Sequence, residues 1–373
     1  GLGGLSSALR RSPERRRGRR CRATATATAS TTRPYEVSAL PGCAFGGYVY
    51  DYDLRAAIGD PDSTDLLRAD LARHRLIVFR GQQDFTPADH LELSEQLGSM
   101  EHMLHKQHPQ APDRRLLRVS NDDSQGFRSV GTSGWHVDGV MLRAPFAVQT
   151  MHFLNAIRGG DTLFLGLREL LEAVDDETRS LWQRLWFVSG VGDDLMAGRG
   201  QLSLLPLVYK HPVTGDDTMC FHLGEGYCLG WIEEREQAEG LDAFFQNMMG
   251  GSEVESVLRQ LFQAERGAAS AATFGFLPAR PTQEQLRDAI DALGAEVKQR
   301  VMWRQEWQDG DVALIDNMAL AHLPVPETQT SQDDGGLRLF HRTTMVDASL
   351  VPRNVRGSTS VLLGGRGVAE ETR

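Results

Sequence analysis

Cysteine is scarce in this chain, four residues in 373. Cys21, Cys43, Cys220 and Cys228 form no CxxC pair, so a disulfide framework is excluded and a structural zinc module lacks ligands. A reducing interior is the simplest inference. Long apolar runs are also missing. No stretch approaches the roughly 18 residues that a membrane-crossing helix needs, so no membrane partner is expected. Positive charge is in deficit: the formal net charge is −10, which argues against nucleic acid as a partner. What remains is 40% hydrophobic and 24% charged, the composition of a soluble globular protein. The length suits one large domain or two ordinary ones.

The charge is unevenly spread. Residues 1–34 carry nine arginines against the single acid Glu14, leaving −18 for the rest. This Arg-, Ser-, Thr- and Ala-rich, acid-poor segment has the composition of an organelle transit peptide. A disordered basic arm is the alternative. The expected location is plastid or mitochondrion, and otherwise the cytoplasm. Three regions follow: a basic segment over 1–34, one domain over 35–350, and a flexible tail over 351–373.

Patterning places a helix capped by Ser63 ahead of a short strand, Leu76 to Phe79. A second helix has Thr86 as N-cap, Pro87 at its first position and Gly98 as its stop. Residues 116–121 and 146–156 read as strands. Residues 168–185 and 233–249 read as amphipathic helices, and 281–297 as helical. "VMWRQEW", "DVALIDNMALAHL" and "LRLFHRTTMV" read as late strands. Strands at both ends with helices between predict a mainly β fold with flanking helices, built on a double-stranded β-helix or jelly-roll core.

"GTSGWHVDGVMLRAPF" offers His136 and Asp138. On a strand, residues i and i+2 share a face, so imidazole and carboxylate converge. The rival pair His90 and Glu92 lies on the second helix, where i and i+2 splay apart, and is expected on a solvated face. One His and one carboxylate leave a metal under-held. The 2-His-1-carboxylate facial triad of non-haem Fe(II) oxygenases needs one more imidazole. His322, at the end of a predicted strand, supplies it, although by itself it reads as a loop histidine. Arg338 and Arg342 lie four apart on one strand face, flanking Phe340. Buried there they need an anion, and a dicarboxylate chelating iron at one end needs such an anchor at the other. A surface strand with two solvated arginines is the alternative.

From about Ala72 to Met345 the chain resembles the taurine dioxygenase (TauD/TfdA) family of Fe(II)- and 2-oxoglutarate-dependent oxygenases. The motifs are "RLIVFRGQ", "WHVDG", "GGDTLF", "LLPLVYKHPVTG", "GDVALIDNMALAH" and "RLFHR", in the family's order. The resemblance implies that His136, Asp138 and His322 bind Fe(II) and are catalytic. It implies that Arg338 and Thr162 hold the distal carboxylate of 2-oxoglutarate. Arg342 then faces the substrate, with the division of labour between the two arginines left open. Trp135 and Asn317 match positions beside the ligands. The family's taurine readers carry a histidine and a tyrosine after the second helix. This chain has His102, His105 and His108 there, without a tyrosine. The acidic stretch 323–337 is expected at the mouth of the site, where it disfavours a second anion. His222, Tyr227 and Trp231 line a pocket or are buried aromatics.

The implied activity is a 2-oxoglutarate-dependent dioxygenase that hydroxylates a small, anionic organic substrate using molecular oxygen, with release of succinate and CO2. A catalytically silent jelly-roll metal-binding or sensor protein is the alternative. A homo-oligomer is left open.

Overall fold

The computed structural model describes residues 33–100, 107–191, 201–224, 226–234, 274–277, 279–347 and 349–363. The basic segment up to residue 32, His102, His105 and most of the helix expected over 233–249 lie outside them. Tyr35–Arg373 forms one compact unit.

Its main sheet has the order Ser38–Ala39, Gly47–Val49, Leu76–Phe79, Val312–Asp316, Val148–Asn155, Leu339–Val346, Ser99–Met100, and Leu117–Ser120 also pairs with Leu339–Val346. The pairings are antiparallel except that of Gly47–Val49 with Leu76–Phe79. Side chains alternate across it with the strand period of two. Ile77, Phe79, Val312 and Leu314 pack with Leu67, Leu71, Leu93 and Leu97 of two covering helices. Leu76, Val78, Ala313 and Ile315 join Phe164, Leu320 and Trp307 on the other face. Burial on both faces is why Leu76–Phe79 reads as a continuous apolar run.

That second face packs on a three-stranded sheet, Met302–Gln305, Thr162–Gly166 and Leu320–Pro324. A five-stranded sheet runs Phe274–Leu277, Gly230–Glu234, Leu185–Val191, Gln201–Pro206, Val361–Leu363. The fold is strand-rich, as expected, and these layers stay open: no barrel closes among the described residues. Beyond residue 350, where the sequence suggests a tail, Val361–Leu363 pairs antiparallel with residues 202–204. No helix among the described residues is long and apolar enough to cross a membrane.

Several local expectations need correction. The first helix is Pro61–His74, capped by Asp60 rather than Ser63. Pro61 takes the first helical position, which moves the cap upstream, and Ser63 donates its N–H to Asp60. The helix expected over 168–185 is two, Leu167–Ala173 and Asp176–Trp182, because Asp175 accepts from the Thr178 N–H and starts a new helix. The one over 281–297 is likewise divided, into Ala279–Asp291 and Ala295–Val301, at Gly294. Thr86 does cap Pro87–Leu97, and Asp89 completes a capping box.

Candidate metal centre

His136 and Asp138 do not lie on a regular strand. His136 forms isolated bridges with both His322 and His222, and Asp138 opens a turn. The convergence expected of positions i and i+2 nevertheless holds. His322 sits inside Leu320–Pro324, and its backbone exchanges both hydrogen bonds with His136, at 3.2 and 2.9 Å. The three side chains thereby meet: one ligand atom from each of His136, Asp138 and His322 lies within 4.8 Å of the others.

The hydrogen bonds leave those atoms free. His136 Nδ1–H donates to the Gly134 carbonyl at 2.7 Å, so its lone pair is on Nε2, 3.9 Å from Asp138 Oδ1. His322 Nε2 is 3.5 Å from Asp138 Oδ2. That Oδ2 accepts from Arg342 Nη1 at 2.8 Å and Gln149 Nε2 at 2.9 Å, which leaves Oδ1 without a hydrogen-bond donor among the described residues. Asn317 brackets Asp138: its Oδ1 accepts the Asp138 N–H and its Nδ2 donates to the Asp138 carbonyl, both at 3.0 Å. Gly131 packs against the imidazole in the left-handed region, φ +73°, where a Cβ would lie 2.9 Å from His136 Cε1.

Burial alone would raise the Asp138 carboxyl. The Arg342 guanidinium, then His322, His136 and His222, outweigh it and hold the group well below the usual carboxylate range. Burial, with His136 next, pushes His322 down to about 3, and burial also lowers His136. The set is therefore one anion and two neutral imidazoles, the donor chemistry that suits Fe(II) with open positions.

Arg338 stands just before the strand Leu339–Val346. It is buried, with its guanidinium carbon 4.7 Å from the Phe340 ring centroid and 5.3 Å from that of Phe153. Nε donates to the Gly160 carbonyl at 3.2 Å, and no carboxylate pairs with it among the described residues. Burial lowers it to about 10, so it stays cationic at neutral pH. Thr162 is buried on the neighbouring sheet, and its Oγ1 accepts from Trp307 Nε1 at 3.0 Å, leaving its own O–H to donate. Trp307 stacks on Phe153, which places Thr162 and Arg338 around one aromatic group.

A cleft of about 70 Å³ opens beside the triad, lined in part by Val140, Met141, Phe146, His222, Tyr227 and Arg342. None of Glu327, Asp333 and Asp334 lines it, so the acidic stretch does not face this mouth. Trp231 is a core residue, its indole N–H held by the Ala279 carbonyl. Trp135 is partly buried against the same core. His108 is buried with both ring nitrogens engaged, by the Asp123 carbonyl and the Gln110 N–H. The splay of His90 from Glu92 predicts a solvated face, but His90 is fully buried beneath the main sheet beside His152. Gln149 was missed. Its signal in the sequence is weak, because Val148–Asn155 also carries Thr150, His152 and Asn155 and a polar side chain at 149 does not stand out.

The family model of the taurine catabolism dioxygenase TauD, TfdA family matches residues 36–344. The chain belongs to the TauD/TfdA family. It is thus a dioxygenase dependent on Fe(II) and 2-oxoglutarate. A relative in Pseudomonas putida, an alpha-ketoglutarate-dependent sulfate ester dioxygenase, is 24% identical over 320 residues, covering 81% of this chain and 86% of its own. Two solved Burkholderia xenovorans structures share the fold. One is described as a putative alpha-ketoglutarate-dependent taurine dioxygenase (TM-score 0.60, 20% identity, 90% of this chain and 100% of that one). The other is described as a taurine dioxygenase (TM-score 0.58, 21% identity, 90% and 96%). These likenesses extend the jelly-roll architecture to this TauD/TfdA chain.

Proposed function

We propose that this enzyme couples the oxidative decarboxylation of 2-oxoglutarate to hydroxylation of a small organic anion, releasing succinate and CO2. The observation that carries the reading is the approach of the three ligand atoms to within 4.8 Å. His136, Asp138 and His322 hold the metal. Arg338 and the Thr162 hydroxyl take the distal carboxylate of 2-oxoglutarate, which supplies the direct ion pair that Arg338 lacks among the described residues. Arg342 faces the substrate side of the cleft. Bound iron with 2-oxoglutarate and dioxygen supplies the oxidising chemistry.

The protein's part is geometric. Gly134 fixes the His136 tautomer through Nδ1. Gln149 and Arg342 occupy one Asp138 oxygen and so present the other. Val140, Met141 and Phe146 exclude water and press the substrate toward the triad. A sulfate ester is the first substrate to assay, because the Pseudomonas putida relative is named for that class. Nothing in the site favours a silent metal-binding protein. Purified enzyme given Fe(II), 2-oxoglutarate and oxygen should release succinate, and a short alkyl sulfate should stimulate it. A wild-type preparation that forms none in any of these mixtures overturns the reading.

A further inference from the structure

His222 stands beside the metal ligands without being one of them. Its backbone bridges His136, and its ring stacks on the His136 ring at a centroid distance of 4.8 Å. The Tyr227 ring stacks on it at 3.8 Å and 13°. His222 Nδ1 accepts the Gly224 N–H at 3.0 Å. A ring nitrogen that accepts a hydrogen bond carries no proton, so the imidazole is neutral with its hydrogen on Nε2. That Nε2–H has no partner among the described residues, and the ring lines the same cleft as Arg342. On Arg342 the Nε–H is likewise buried without a partner.

We infer that His222 is a specificity-determining residue whose Nε2–H donates to one oxygen of the substrate's anionic group while Arg342 takes another. The inference rests on the cleft being the substrate site. A planar carboxylate is satisfied by one guanidinium fork. Two donors carried on separate elements, the segment around His222 and the strand Leu339–Val346, suit an anion whose oxygens diverge in three dimensions. Sulfate esters and sulfonates have that shape. The stacking on both His136 and Tyr227 holds the donor rigid, so little freedom is lost when it binds. Val140, Met141 and Phe146 favour a short alkyl chain behind the charged head.

The test is calorimetric binding of hexyl sulfate and of heptanoate to the anaerobic enzyme loaded with Fe(II) and 2-oxoglutarate. Wild type should bind hexyl sulfate at least about tenfold more tightly than heptanoate. His222→Phe keeps an aromatic ring in the stack but removes the donor. It should weaken hexyl sulfate about ten- to a hundredfold and heptanoate less than about threefold. His222→Gln, which restores an N–H, should return hexyl sulfate to within about threefold of wild type. Unchanged hexyl sulfate binding by His222→Phe, or equal losses for both probes, overturns the inference. Succinate release by wild type without organic substrate tests the oxygenase reading separately. An enzyme that turns over 2-oxoglutarate yet binds neither probe overturns the His222 inference alone.

Discussion

Asn317 holds Asp138 from both sides of its peptide: the side-chain oxygen accepts the Asp138 N–H, and the side-chain nitrogen donates to the Asp138 carbonyl and, at 2.7 Å, to that of Phe146. Asn317→Ala should therefore lower Fe(II) affinity about 10- to 100-fold, as loss of a ligand's support does elsewhere. It should also cost about 1–3 kcal/mol of stability through the buried groups left unpaired. Metal titration and urea denaturation read the two effects. Wild-type Fe(II) affinity in the variant would show that the clamp does not position the ligand.

Arg338→Ala should raise the 2-oxoglutarate concentration needed for half-maximal succinate formation at least about 30-fold, equivalent to about 2 kcal/mol. Arg338→Lys keeps the charge without the fork and should fall between. Fe(II) affinity without the cosubstrate should hold in both. An unchanged 2-oxoglutarate requirement in Arg338→Ala would hand the anchor role to Arg342.

Gly131 and Gly215 have nearly the same backbone, φ +73° and +75°, but only Gly131 has a neighbour within 4 Å where its Cβ would go. Alanine at either position should cost about 1–2 kcal/mol of strain. Only Gly131→Ala should also lose Fe(II) affinity, because it displaces the His136 ring. Equal metal binding by the two variants would refute this.

His90 on the helix Pro87–Leu97, and His152 and His341 on the sheet it covers, are buried, each with Nδ1 unpartnered. Burial pushes His152 and His341 down to about 4, and His90 well below its ordinary value. Their native pKa values lie below those of the unfolded chain. Between about pH 6.5 and 4 the unfolded state binds protons that the native state refuses, so stability falls as pH falls. Asp311, which burial raises to about 6 against the pull of Arg80, works the other way, but it is one group against these three histidines and the likewise lowered His136, His222 and His322. His341 alone should cost about 2 kcal/mol at pH 5 relative to pH 7. Urea unfolding of the metal-free protein should show that loss, and His341→Gln should remove its share. A free energy flat from pH 7 to 5 would contradict it.

The elements most legible in the sequence were those set by local chemistry. Thr86, Pro87 and Gly98 bound their helix because capping is decided within one turn. His136 and Asp138 were legible as a pair through their spacing, and Arg338 through the cost of burying a charge without a partner. What escaped depends on distant packing. His90 lies on a helix whose sequence pattern does not reveal which face the sheet covers. Gln149 meets Asp138 only because Val148–Asn155 lies next to Val312–Asp316, which leads into Asn317. The break after Ala173 was written in Asp175, a capping residue within an otherwise helical pattern.

The reciprocal backbone bonds between His136 and His322 also bear on how the chain acquires its metal. The two imidazoles are far apart in sequence, at positions 136 and 322, and meet only once long-range strand pairing is complete, a slow event by contact-order arguments. Iron therefore arrives as a late guest, not as a nucleus. Supplied during refolding, it should raise the final yield of native protein while leaving the rate of its appearance unchanged.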